Sequence, residues 1–159
     1  MNCYLRGRQA RVMFRNKLSK SRNIHVGVPQ GAVTSPLLFS FYLFKLPQPT
    51  NAKIHLIQYA DDISIFMSGW HIPSLTRAIN KYLPELVTFL DERELLLSAE
   101  KSMVTLFTQD TGEFVIHPGV KISGVQMPLD QTPKLLGVVF DTMRTPLLTI
   151  SIDSVLVPE

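Results

Sequence analysis

Two adjacent carboxylates, Asp61 and Asp62, stand between two short isoleucine-rich runs, Ile54 to Gln58 and Ile63 to Met67. Apolar runs joined by Tyr59-Ala60-Asp61-Asp62 predict a β-hairpin with its acids at the turn. Like charges side by side repel one another, and desolvation raises their pKa, so such a pair between buried strands calls for a compensating charge. A divalent cation is the usual one, and hard oxygen ligands select magnesium or manganese over softer metals. Ions held this way serve phosphoryl or nucleotidyl transfer: one activates an attacking hydroxyl and both stabilise charge on the phosphorus oxygens. The alternative is an ordinary solvated turn, where Asp is common.

The elements around this turn read as a mixture of strands and helices. Arg8 to Phe14 and Asn23 to Val28 alternate as strands, with the basic stretch Arg15 to Arg22 as the turn between them. Gly27, Pro29 and Gly31 break that pattern, and Thr34-Ser35-Pro36 offers an N-cap followed by proline at the first helical position. A helix is expected from Pro36 to Phe44, stopped by Pro47 and Pro49. Leu75, Ile79, Leu83, Leu86, Val87 and Leu90 recur at helical spacing, predicting an amphipathic helix over Ser74 to Glu92, kinked or divided at Pro84. Met103 to Thr108, Glu113 to His117, Val120 to Ser123 and Lys134 to Phe140 are short and β-rich, punctuated by glycine and proline. After Asp141 the pattern weakens, leaving Met143 to Glu159 as either one more strand or a loose tail.

The chain of 159 residues is 45% hydrophobic, enough for one ordinary domain and too short for a complete multi-domain polymerase. No repeat, low-complexity tract or linker divides it, and no apolar run approaches the roughly 18 residues of a membrane span. The start of the sequence has basic residues where a secretory signal places its apolar core. Cys3 is the single cysteine and the four histidines are scattered, so neither an internal disulfide nor zinc-type spacing is available. These features point to a reducing, intracellular compartment, cytoplasm or nucleus. The net charge of +3 is concentrated at one end: Arg6, Arg8, Arg11, Arg15, Lys17, Lys20 and Arg22 precede any acid. Cations interleaved with Tyr4 and Phe14 suit phosphate contacts, with Arg6, Arg8, Arg11, Arg15 and Lys17 as the candidates. A solvated basic arm is the bland alternative.

Two blocks resemble reverse transcriptases, and among them the jockey-like kind of non-LTR retrotransposons. Tyr59-Ala60-Asp61-Asp62, with His55 to Gln58 before it and Ile63-Ser64-Ile65 after it, looks like the Y-A-D-D catalytic hairpin. Gly27-Val28-Pro29-Gln30-Gly31, running on through Ser35-Pro36 to Phe39, resembles the G-x-P-Q-G-x-x-x-S-P-x-L-F block that leads into a palm helix. Their order and spacing fit the family, and two ordered motifs are far more specific than either alone. Ser98 to Ser102 looks like the lysine-bearing turn after the long palm helix, and Lys134 to Val138 resembles the primer-grip hairpin.

The resemblance, which runs from Tyr4 to Met143, implies an α+β fold: part of a polymerase palm, a small antiparallel sheet with the acidic hairpin at its centre and both helices on one face. It implies residues 1–143 as a partial reverse transcriptase domain and 144–159 as an unassigned tail, either frameshifted or unrelated. Asp61 and Asp62 become metal-site carboxylates for Mg2+, with Mn2+ as a substitute, Asp61 being the stronger candidate for a direct ligand. Lys101 would protonate the leaving pyrophosphate or orient its phosphates, a solvated turn lysine being its plainer reading. Pro29, Gln30 and Gly31 would flank template and incoming nucleotide, and Tyr59 and Ala60 the primer end. Leu136 and Gly137 belong to the primer grip, although Leu135, Leu136 and Val138 read equally as sheet core. The partners implied are an RNA template, a DNA primer and deoxynucleotides, with no membrane.

The family also has a strand with an aspartate ahead of the Gly27 block, nucleotide-binding fingers before that, and an endonuclease. No acid precedes Asp61 here, so the sequence reads as a truncated copy or a mis-bounded gene. The missing strand and fingers would have to come from another chain, and the sheet edge beside the hairpin is expected to lie open to aggregation. The competing readings are a non-catalytic remnant that binds nucleic acid, and an unrelated α+β domain with a chance acidic turn.

Overall fold

The computed structural model describes residues 6–29, 31–113, 116–142, 147–152 and 155–156. The chain divides into two units, Met1–Phe44 and Lys45–Glu159. In the first, the basic stretch folds as two nested hairpins. β1 (Arg8–Ala10) pairs with β4 (Arg22–Ile24), and inside them β2 (Met13–Phe14) pairs with β3 (Lys17–Leu18). The expected turn over Arg15 to Arg22 is therefore much tighter: only Arg15 and Asn16 form it, both in the left-handed region (φ 45 and 61) that a two-residue hairpin loop requires.

Helix α1 (Ser35–Tyr42) begins one residue before the expected start and ends two residues short. Thr34 does not act as the cap, because its backbone is helical and its hydroxyl caps nothing. The neighbouring Ser35 hydroxyl instead donates to the Pro29 carbonyl, closing the Pro29 to Gly31 loop against the helix start. Gly31 sits at φ 80, a conformation that favours glycine.

The second unit is built on a four-stranded antiparallel sheet. β5 (Ile54–Tyr59) and β6 (Asp62–Ser68) form the predicted hairpin, followed by helix α2 (Ile72–Asp91), β7 (Leu96–Leu97) and β8 (Met103–Phe107). β9 (Lys121–Ile122) pairs with β10 (Val125–Gln126), and β11 (Lys134–Leu135) with β12 (Val138–Val139). The last strands are β13 (Leu147–Ile152) and β14 (Val155–Leu156), the latter paired with β7. Sheet order is β5-β6-β13-β8.

This order bears on three expectations. The acidic hairpin is not at the centre, since β5 is an edge strand. Of the two readings left open for residues beyond Met143, the strand is the one realised, for Leu147–Ile152 lies inside the sheet. Of the hairpin's two sides, β6 is covered by β13, while β5 remains a sheet edge among the described residues, as the open edge expected beside the hairpin. Alternation explains the insertion: Leu148 and Ile150 are fully buried while Thr149 and Ser151 face the other side, half-buried.

The register aligns the apolar side chains in rows. Ile54, Met67, Leu148 and Leu106 form one, and Leu56, Ile65, Ile150 and Val104 the next. Helix α2 contributes the other buried surface of this unit through Leu75, Ile79, Leu83, Leu86 and Leu90. It runs as one helix through Pro84 rather than dividing there. The Thr88 hydroxyl donates to the Pro84 carbonyl at 2.9 Å, and the buried Tyr82 hydroxyl to the Pro47 carbonyl at 2.7 Å.

Two strand expectations fail in detail. Glu113 lies in a short 3-10 turn, Thr111–Glu113, and Ile116 and His117 are irregular; Phe114 and Val115 of that expected strand lie outside the described residues. Lys134 to Phe140 is a hairpin rather than one strand, because Leu136 and Gly137 both adopt positive φ (49 and 86) and reverse the chain.

Candidate active site

Hairpin register fixes where the carboxylates go. Tyr59 pairs with Asp62, leaving Ala60 and Asp61 as a two-residue loop. Ala60 is in the left-handed region at φ 53, which costs a non-glycine residue about 1–2 kcal/mol. The Gln58 side-chain amide donates to the Ala60 carbonyl at 3.1 Å and braces the loop from within β5. Sequence reasoning gave Gln58 no role; as the polar residue beside a tight turn it was the available signal. Asp61 is exposed and Asp62, the first residue of β6, half-buried, so both reach solvent while Ile63 behind them is fully buried.

Topology adds a third chemical group to this end of the sheet. β13 runs antiparallel to both β6 and β8, with Ser151 opposite Ser64 on one side and Met103 on the other. The start of β8 therefore lies at the same end as the start of β6, two strand spacings or about 10 Å across. Lys101 precedes β8 in a tight turn: the backbone N–H and the hydroxyl of the buried Ser102 both donate to the Ser98 carbonyl, at 3.0 and 2.7 Å. The lysine side chain is exposed. Asp61, Asp62, Tyr59, Ala60 and Lys101 thus share one rim.

The β11–β12 hairpin covers part of the sheet's second face. A groove of about 710 Å³ runs between them, lined by Ile57, Ser64, Phe66, Phe107, Leu135 and Phe140 among others. Leu136 is 56% exposed and Val138 57%, so the reading of these residues as sheet core is corrected: the hairpin points its tip at solvent. Leu136 and Gly137 form that tip because the turn demands positive φ there.

The other expected contacts belong to the first unit. Pro29 and Gly31 flank the loop closed by Ser35, and Gln30 lies outside the described residues. Arg6, Arg11, Arg15 and Lys17 are exposed. Arg8 is half-buried and donates to the Val26 carbonyl at 3.1 Å, while the Arg15 guanidinium lies 5.3 Å from the Phe14 ring centroid.

An acidic hairpin turn on a small antiparallel sheet, with the Gly27 to Phe39 block ahead of it, defines a class, and comparison gives that class its name. The family model for reverse transcriptase (RNA-dependent DNA polymerase) matches residues 1–140, and the chain belongs to this family. Its relatives set it with the jockey-like enzymes of non-LTR retrotransposons. The probable RNA-directed DNA polymerase from transposon BS of Drosophila melanogaster is 32% identical over 152 residues, covering 91% of this chain and 17% of its own. That from transposon X-element of the same fly is 28% identical, covering 91% and 16%. The RNA-directed DNA polymerase from mobile element jockey, also from this species, is 28% identical, covering 80% and 14%. The chain thus spans about a sixth of the length of these relatives. No solved structure matches it.

Proposed function

We propose that the chain forms part of the palm of an RNA-directed DNA polymerase, with Asp61 and Asp62 as its metal-site carboxylates. The observation that carries this reading is the shared rim: the acidic turn and the Lys101 turn stand at the same end of one sheet. Two adjacent hard carboxylates, one exposed and one half-buried, fit Mg2+ or Mn2+, since Mg2+ takes one or two protein carboxylates and completes its shell with water and substrate phosphates. Among the described residues no group of three or more His, Cys, Asp or Glu assembles. Bound at the pair, the cations would activate the primer hydroxyl and stabilise charge on the transferred phosphoryl oxygens.

The chain's own residues do the rest of the work in this reading. Gln58 and the register hold the turn, so Asp61 and Asp62 present fixed oxygens. The Lys101 ammonium donates a proton to, or orients, the departing pyrophosphate. By the family resemblance, Tyr59 and Ala60 would serve the primer end, Pro29, Gln30 and Gly31 the template and incoming deoxynucleotide, and Leu136 and Gly137 the primer. We take residues 1–143 as the partial domain and 144–159 as the segment that follows it, of which Leu147–Ile152 pairs with the sheet. No helix among the described residues is long and apolar enough to cross a membrane, and an intracellular site of action suits RNA and deoxynucleotide substrates.

No acid stands ahead of Asp61 in these residues, so the further carboxylate and the fingers that the family uses lie outside them, and extension by these 159 residues alone is expected to be slight or nil. That same observation favours a second reading, a non-catalytic remnant that binds nucleic acid. Primer extension on poly(rA) with oligo(dT), in Mg2+ and then Mn2+, separates them. Incorporation lost in Asp61→Asn supports the polymerase; a folded protein that binds primer-template and incorporates nothing supports the remnant.

A further inference from the structure

At the far end of β6 from the carboxylates, the chain passes through Gly69 and Trp70 into helix α2. Trp70 is 89% exposed, an unusual position for the largest apolar side chain. It lines an open groove of about 840 Å³ with His71, Arg77, Lys81, His117 and Pro118. Arg77 and Lys81 are exposed and four residues apart on α2, one helical turn or about 6 Å along the axis. Like charges at that spacing destabilise a helix, and neither cation has a carboxylate partner among the described residues. The one acid lining the groove, Glu113, accepts a hydrogen bond from the Thr108 hydroxyl at 2.6 Å. The opposite wall is fixed by Asn80, which donates to the Gly119 carbonyl and accepts from the Lys121 amide, at 3.2 and 3.1 Å.

We infer that this groove is a second nucleic-acid site, binding single-stranded RNA by stacking a base on Trp70 and pairing successive phosphates with Arg77 and Lys81. An aromatic face beside a short cationic track is the combination that holds single strands without sequence preference. A protein partner would leave the unpaired cations unanswered unless it were acidic; a polyanion with flat bases answers both features. β6 separates the groove from Asp62 by six residue steps, about 20 Å, so a strand held here lies well outside the catalytic rim. The inference rests on the polymerase reading only in the choice of RNA as ligand.

Trp70 is the one tryptophan in the chain, so its fluorescence reports this groove and no other site. The full chain is titrated with a single-stranded RNA of about 12 nucleotides, within the site sizes usual for single-strand binders. Tryptophan emission is followed alongside the anisotropy of the same RNA carrying a fluorophore. Quenching that saturates together with anisotropy is expected. Trp70→Ala should weaken binding about 5- to 150-fold and Trp70→Phe much less. Arg77→Ala with Lys81→Ala should flatten the plot of log affinity against log salt by about 1.4, from about 0.7 per phosphate. All three side chains are exposed, and unchanged urea midpoints verify that the variants fold. Binding by anisotropy with unchanged emission, or a double variant with the wild-type salt slope, overturns the inference and leaves the polymerase reading intact. Absence of RNA binding by either signal also overturns the inference, while the polymerase reading is decided separately by primer extension.

Discussion

Replacing Ile150 with alanine tests whether the C-terminal segment belongs to the sheet. Ile150 is fully buried on β13, opposite Ile65 on β6 and Val104 on β8, which are also fully buried. The substitution removes three carbons, worth about 0.8 kcal/mol each on transfer, or about 2.4 kcal/mol. Three closely packed strands cannot collapse fully around the gap, so a cavity term brings the expected loss to about 3–4 kcal/mol, inside the range for such truncations. Since a domain of this size is stable by about 5–15 kcal/mol, the midpoint of urea unfolding should fall by about a fifth or more. Circular dichroism is the suitable probe, because exposed Trp70 reports little on the core. Thr149→Ala, on the other face of the same strand, should cost under about 1 kcal/mol. An Ile150→Ala chain within about 0.5 kcal/mol of the parent, the band of ordinary surface changes, would refute the placement of β13 and restore the loose tail.

The remaining predictions concern single side chains. Leu136→Gly should stabilise the chain by about 1–2 kcal/mol in the same urea assay, because Leu136 holds φ 49 in a two-residue loop while its side chain is 56% exposed. In an extension assay on a polymerase that contains these residues, Lys101→Ala should lower the rate by about 10²- to 10⁴-fold with little change in primer-template affinity, whereas a solvated turn lysine would change neither. Burial, and secondarily the Glu85 carboxylate, push the Tyr82 phenol well above its ordinary pKa of 10.0. The folded state then keeps a proton that the unfolded state loses above pH 10, so stability is full below that pH and declines above it, by at most about 1.4 kcal/mol per pH unit. Tyr82→Phe should lose about 1 kcal/mol at neutral pH, from the hydrogen bond to Pro47, and should show a shallower decline above pH 10.

What could be read from the sequence followed from local pattern. The β5–β6 hairpin declared itself by alternation on either side of an acidic turn, and α2 by helical spacing of leucine and isoleucine. Of the kink or break expected at Pro84, the break does not occur, because seven buried residues on α2 offset the lost backbone bond and the clash that an interior proline brings. The cap expected ahead of Pro36 failed because Ser35 is taken into the helix with its hydroxyl on the Pro29 carbonyl, and Thr34, which falls at the N-cap, makes no side-chain capping bond. β13 was the serious gap. Its Leu148-Thr149-Ile150-Ser151 alternation was present in the sequence, yet strand order is non-local: nothing in a strand's own residues says which neighbours it separates. Without that order the rim shared by Asp61 and Lys101 could not be deduced, since it depends on β13 running antiparallel to two strands at once.

The same register that packs the core also aims the carboxylates. From the row of Ile54, Met67, Leu148 and Leu106, apolar side chains continue through Leu56, Ile65, Ile150 and Val104 to Ile63, whose partner Gln58 is already polar, and then give way to Tyr59 and Asp62. Hydrophobicity thus runs out along the strands just where charge begins. A slip of one residue between β5 and β6 would turn every side chain to the opposite face and would draw Asp62 toward the apolar rows. Desolvating a carboxylate costs free energy, so the buried rows and the acidic turn penalise the same error from opposite sides. Ala60 bears the remaining strain: with both strands locked by their rows, two residues must close the loop, and the first must accept a positive φ whatever its side chain. The position of Asp61 is in this sense a consequence of isoleucines several residues away, which is why core substitutions in β6 and β13 should disturb the rim before any change in the acids themselves.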